Sequence, residues 1–297
     1  MALEPPQRLV TALGETAQDG DDWLERLPEA AEQAVALREL TVERVHVPGG
    51  RSGLAVLVRL ADGTPAVLKL VPPRSRPQSE RAALAHWAGF GAVRLLDPSA
   101  ADGALLLERL HRDVSVRSLP EAKALLEAAG TLRRLWVEPP SNHRFETVAE
   151  RTGRQADAMR ASADGEVAPL VEAALAAREE LLGGDAEVRL LHGTFRQSKV
   201  LAGERLPWLA VGPDPVIGEP AFDLARLVRD RVEDLIASPS GSSITRRRVK
   251  KLAESLDVDQ ERLRGWTLFR AVESGVRARR VGREQDAELL LEFAGWL

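Results

Sequence analysis

Cysteine is absent from the 297 residues, which excludes disulfides, thiolate metal sites and a cysteine nucleophile. Long apolar runs are absent too: no stretch approaches the roughly 18 residues a membrane-spanning helix requires, and the opening MALEPPQRLV lacks a basic segment followed by an apolar one. The expectation is a cytoplasmic protein with no membrane partner. Neither sign of charge dominates. With 41 basic and 45 acidic residues the formal net charge is -4, so nothing global draws the chain to nucleic acid, and none is expected as a partner. Lysine is scarce, occurring only at positions 69, 123, 199, 250 and 251 among abundant arginines, so each lysine calls for an explanation. What is present, 44% apolar and 29% charged residues, suits a globular chain with one large or two modest cores.

Residues 19–40 open with an acidic, cap-like cluster and then place Leu24, Leu27, Ala31, Val35 and Leu37 at roughly helical spacing, predicting a helix kinked or restarted at Pro28. The runs VERVHVPGG and LAVLVRLADGTPAVLKLV then read as an antiparallel meander, because Asp62-Gly63 tolerates the left-handed backbone of a tight hairpin turn. A helix is expected over 78–90, two short strands in GAVRLLDP and GALLLERL around Asp102-Gly103, and mostly helix from about 120 onward. Strands before helices predict an α+β chain of two lobes, β-rich from about 40 to 110 and helical from about 115 to 297. The expected division is 1–112 and 113–297, with a hinge at about 108–118. SPSGSS at 238–243 reads as a loop before another helix.

Several signals have bland readings. The glycines of Pro48-Gly49-Gly50-Arg51-Ser52-Gly53 are ordinary turn chemistry, with no full phosphate-loop fingerprint. In TRRRVKKL at 245–252 the cations mix with Leu252 at helical spacing, which predicts the solvated face of an amphipathic helix. His192, before a glycine at the end of an apolar strand, reads as a hydrogen-bonded structural residue.

From 190 the sequence runs LLHGTFRQSKVLAGERLPWLAVGPDPVIGEPAFDLARL. It resembles the catalytic segment of the aminoglycoside and hydroxyurea phosphotransferase family, whose pattern is His-Gly-Asp-Leu-His-x-x-Asn-Val-Leu, then Ile-Asp-Pro, then Gly-Asp/Glu-Pro-Ala-Phe-Asp-Leu-Ala-Arg-Leu. The spacing matches without a gap, and LERLP, RLADGTPAVLK and ALLLERL extend the likeness over nearly the whole chain. The resemblance implies a bilobal, protein-kinase-like fold. It also implies that Lys69 pairs with nucleotide phosphates, that Glu80 holds Lys69, and that Asp223 ties down the catalytic loop.

Three positions depart from the pattern: Thr194 replaces the catalytic Asp, Lys199 the metal-binding Asn, and Gly212 the metal-binding Asp. A positioned acid–base group contributes about 10²- to 10⁴-fold in rate, and an ammonium repels a metal dication. With Arg196 in place of a His, the substitutions shift the segment by about four charge units toward positive. The expectation is a pseudokinase binding ATP or another phosphate anion without metal, through Lys69, Glu80, Lys199 and Arg196, with Mg²⁺ not expected. Its partner would be a protein or a small-molecule ligand. The alternative is an active phosphotransferase of altered mechanism, in which Asp214 shifts the metal site. Glu219, Asp230 and Asp234 are carboxylates that no pattern places at the phosphates.

Overall fold

The computed structural model describes residues 3–15, 21–98, 102–163 and 165–297, so the first residues of the acidic stretch, 19 and 20, lie outside it. Strands β1 (Thr41–Val45), β2 (Leu54–Arg59), β3 (Pro65–Leu70), β4 (Ala104–Glu108) and β5 (His111–Ser115) come early, and the three-residue strands β6 (Arg189–Leu191), β7 (Val200–Ala202), β8 (Trp208–Ala210) and β9 (Val216–Gly218) come late. Helices α1 (Gln7–Gly14), α2 (Trp23–Leu37) and α3 (Pro77–Trp87) accompany the early strands. The remainder are α4 (Glu121–Leu135), α5 (Val148–Ser162), α6 (Ala168–Leu182), α7 (Pro220–Val228), α8 (Val232–Ala237), α9 (Gly241–Leu256), α10 (Gln260–Arg280) and α11 (Glu284–Ala294). The chain is therefore α+β, as its pattern predicts. It forms two compact units, residues 1–113 with 201–214, and residues 114–200 with 215–297.

In the first unit β1 to β4 form an antiparallel sheet in sequence order, and β2 and β3 join through the Asp62-Gly63 turn, where Gly63 takes φ +84°. The strict two-residue alternation sets the two faces apart. Leu54, Val56, Val58, Ala66, Leu68, Leu70 and Leu106 point to a core shared with Leu27 and Ala31 of α2, and the register places Lys69 opposite Ala55 and Leu105 on the other face. Two expectations need correction. α2 does not restart at Pro28 but continues through it, and Leu37 is 70% exposed, because the buried stripe is Leu27, Ala31 and Ala34. Residues 91–98 form single bridges, Ala92 to Ala210 and Leu95 to Leu107, rather than a strand, since their backbone pairs in turn with two different segments. Segment 201–214 belongs to this unit for the same reason: Val93 N–H donates to the Ala210 carbonyl at 2.8 Å, Ala210 N–H to Gly91 at 2.9 Å, and the Arg205 guanidinium to the Gly89 carbonyl and to Glu108.

The second unit is built around α10, which packs against α5, α6, α7, α9 and α11. Its N-cap Asp259 accepts the Arg262 N–H at 2.8 Å, filling one of the donors a helix start leaves open. Trp266 stacks edge-on to Phe222 and Phe269 while its indole N–H donates to Glu219 at 2.6 Å, and Arg262 grips the same carboxylate at 2.6 Å. Glu219 thus anchors the start of α7 onto α10. α9 is amphipathic with one correction: Arg246, Arg247, Lys250 and Lys251 are exposed, whereas Arg248 is buried and donates to the carbonyls of Val228 and Asp230, both at 2.7 Å.

Candidate functional site

Lys69 sits on β3 between two strands, so its stem is fixed and only its tip can move. Its ammonium donates to both oxygens of Glu80 at 2.6 Å, and Glu80, on α3, is 4% exposed. A bidentate, largely dehydrated pair of this kind holds the lysine tip in one place, which is what a fixed phosphate contact needs. Arg76, the N-cap of α3, has a left-handed backbone at φ +53°, and its guanidinium donates to Asp214 at 3.2 Å. Gly212, two residues before Asp214, also lies in the left-handed region, at φ +62°. Glycine adopts this without strain.

The loop after β6 is anchored in the second unit. β6 pairs with β9, and α7 follows β9, which sets Asp223 beneath the loop. The fully buried Asp223 carboxylate accepts the His192 N–H at 2.7 Å and the Gly193 N–H at 2.9 Å. Burial pushes this carboxyl up, while the Arg270 guanidinium and the two N–H groups pull it back. Arg270 locks the arrangement from α10: it donates to the carbonyls of Phe222 and Gly193, both at 2.7 Å, and lies over the Phe222 ring at 4.1 Å. His192 is buried edge-on against Phe195.

Beyond His192 the loop makes one 3₁₀ turn, Gln197–Lys199, and the Gln197 N–H donates to Asp230 at 2.6 Å. The turn brings Lys199 back to Thr194, whose hydroxyl accepts from the Lys199 ammonium at 2.6 Å. Arg196 is half-buried on extended backbone. The residues singled out by sequence thus gather into two groups, Lys69 with Glu80 in one unit, and His192, Thr194, Arg196, Lys199 and Asp223 in the other. Sequence reasoning missed Arg270 and gave Asp230 no role, although Asp230 carries the loop on its carboxylate. The polar set Arg270, Glu273, Ser274 and Arg277 recurs at helical spacing in α10 and is the signal that could have found the support beneath the loop.

Residues 38–282 match the family described as aminoglycoside/hydroxyurea antibiotic resistance kinase. A streptomycin 6-kinase of Streptomyces glaucescens is 32% identical over 280 residues, 92% of this chain and 90% of that protein. A hydroxyurea phosphotransferase of Kitasatospora aureofaciens is 37% identical over 238 residues, 76% of this chain and 65% of that protein. Among solved structures, the aminoglycoside phosphotransferase APH(4)-Ia superposes with a TM-score of 0.63 at 16% identity, covering 90% of this chain and 97% of that one. A spectinomycin phosphotransferase superposes with a TM-score of 0.59 at 12% identity, covering 89% and 97%. The fold is the α+β, protein-kinase-like fold of these phosphotransferases.

Proposed function

Because this chain belongs to the aminoglycoside/hydroxyurea antibiotic resistance kinase family, we propose that it keeps the family's nucleotide-binding frame without Mg²⁺-dependent phosphoryl transfer, and serves as a nucleotide- or anion-binding regulator or scaffold. The observation that carries this reading is the pairing of Lys199 with Thr194 at 2.6 Å. At the positions where the family pattern has a base and a metal ligand, the chain has a hydroxyl held by an ammonium. A threonine hydroxyl takes no proton near neutral pH, so it cannot relieve an acceptor alcohol of its proton as a carboxylate does. Mg²⁺ requires oxygen donors in near-octahedral array, and a lysine, a glycine without a side chain and a hydroxyl already bonded to that lysine do not provide them. The residues at these positions therefore do not fit the metal. By the family pattern Lys69, steadied by Glu80 in the first unit, is the phosphate contact, and in the second unit Lys199 puts positive charge at the position of a metal ligand.

The second reading, an active phosphotransferase of altered mechanism, is favoured by the kinase names of relatives that align over most of this chain. It depends on Asp214 as a displaced metal ligand, and one oxygen of the half-exposed Asp214 carboxylate accepts from the Arg76 guanidinium at 3.2 Å. The two readings part in one experiment. In a thermal-shift panel of nucleotides with and without Mg²⁺, coupled to product analysis with streptomycin and hydroxyurea, the protein is expected to be stabilised equally by ATP in either condition. It is expected to release no phosphorylated product above the no-enzyme background. Mg²⁺-dependent product at ordinary kinase turnover, about 1–100 s⁻¹, would refute the reading and implicate Asp214.

A further inference from the structure

In the first unit the loop of residues 46–53, between β1 and β2, leaves the sheet at the level of Lys69. The His46 N–H donates to the Ala55 carbonyl at 2.8 Å, and Ala55 is the residue that β2 sets opposite Lys69. At its other end the loop runs close along β3, so that a Cβ on Gly53 would lie 2.5 Å from the Leu70 carbonyl oxygen. Between these ends the N–H groups of Gly49, Gly50, Arg51 and Ser52 donate to no acceptor among the described residues. Successive backbone donors of this kind suit an anion, and they stand at the end of the sheet that carries the lysine assigned above to phosphate.

Ordering a glycine-rich loop around a ligand costs backbone entropy, which weakens binding unless the loop is held beforehand. α1 holds it. The helix is itself fixed, because Leu9 and Leu13 are buried in the core that contains Leu54 and Leu68. Its N-cap residue, Pro6, packs against the loop, where a Cβ on Gly49 would come within 3.0 Å of the proline ring. Its C-cap residue, Glu15, accepts from the Arg51 guanidinium at 2.7 Å. The loop is thus gripped from both ends of one anchored helix.

We propose that Glu15 and Arg51 are a positioning pair: by tying the 46–53 loop to α1 they hold its backbone donors ready for the phosphates of a nucleotide at Lys69, without touching the nucleotide themselves. This rests on the nucleotide reading above, since a loop with nothing to bind gains no affinity from being held. A pair that acts by position alone works with its charges exchanged, and losing either member costs as much as losing both.

Two measurements on the full chain test the pair. Tryptic cleavage of the Arg51–Ser52 bond reports the freedom of the loop with no ligand present, and Glu15→Gln is expected to be cut there at least about three-fold faster than wild type. In calorimetry with ATP in EDTA, Glu15→Gln, Arg51→Gln and the double variant are each expected to bind about three- to five-fold more weakly than wild type, and Glu15→Arg combined with Arg51→Glu to return to within about two-fold of it. Unchanged cleavage or unchanged affinity in Glu15→Gln would overturn the proposal. So would weak binding after the charges are exchanged, which would make Arg51 itself a phosphate contact. Lys69→Ala separates this proposal from the reading it rests on. ATP binding that depends on Lys69 but ignores Glu15 removes the pair and keeps the nucleotide reading. If wild type binds no ATP, or Lys69→Ala leaves its binding unchanged, the nucleotide reading fails and the positioning role fails with it.

Discussion

Thr194→Asp, Lys199→Asn and Gly212→Asp, introduced together, are expected to give the protein a Mg²⁺-dependent affinity for ATP, with binding at least about ten-fold tighter when the metal is present, against no such difference expected in the natural chain. The change replaces an ammonium with a neutral amide oxygen and adds two carboxylates, the hard oxygen donors that Mg²⁺ accepts. The scaffold for positions 194 and 199 is in place, since Asp223, Arg270 and Asp230 hold their loop by backbone contacts that the substitutions do not touch. Two costs are foreseeable. Removing Lys199 frees the Thr194 position from its 2.6 Å partner, and an aspartate at φ +62° costs about 1 kcal/mol, because the left-handed region disfavours a side chain but Asp tolerates it better than most. The variant should therefore fold with a modestly lower melting temperature. A folded triple variant whose ATP affinity is the same with and without Mg²⁺ would show that the family's metal positions do not map onto 194, 199 and 212.

Asp223→Ala is expected to be the most damaging single substitution in the chain, lowering stability by about 3–5 kcal/mol, enough to abolish folding in a protein of ordinary stability. The carboxylate is wholly buried and satisfies two backbone N–H groups, at 2.7 Å and 2.9 Å, that no other acceptor serves once it is removed. Its loss also leaves the buried Arg270 guanidinium without its compensating charge. Thr194→Ala, on the same loop, removes only a half-buried hydroxyl and is expected to change stability by less than about 1 kcal/mol. Urea denaturation of the two variants measures the contrast. Comparable midpoints would show that the loop is held by something other than Asp223.

The sequence made legible what is local and periodic. The β2–β3 hairpin follows from Asp62-Gly63 between alternating apolar residues, whereas the pairing of Lys69 with Glu80 follows from the resemblance to the phosphotransferase family. Asp223 was placed by a motif whose spacing has no gap, and the structure finds its carboxylate on the loop backbone. What was not legible depends on contacts between distant segments. The joining of 201–214 to the first unit arises from single backbone bonds between Gly91, Val93 and Ala210, which leave no periodic trace in any one segment. The inward turn of Arg248 depends on carbonyls of Val228 and Asp230 contributed by a different helix end, so a basic run reads as uniformly solvated until α7 and α9 are seen together.

The central claim, a nucleotide frame that works without metal, is tested most directly by titration calorimetry of the natural protein with ATP, first in excess EDTA and then in saturating Mg²⁺. The account predicts saturable binding in EDTA that weakens as salt is raised, changes little with Mg²⁺, and falls at least about ten-fold in Lys69→Ala, which removes a charge-assisted contact worth about 1.5–3 kcal/mol. Binding that appears only with Mg²⁺, or that Lys69→Ala leaves unchanged, would contradict it.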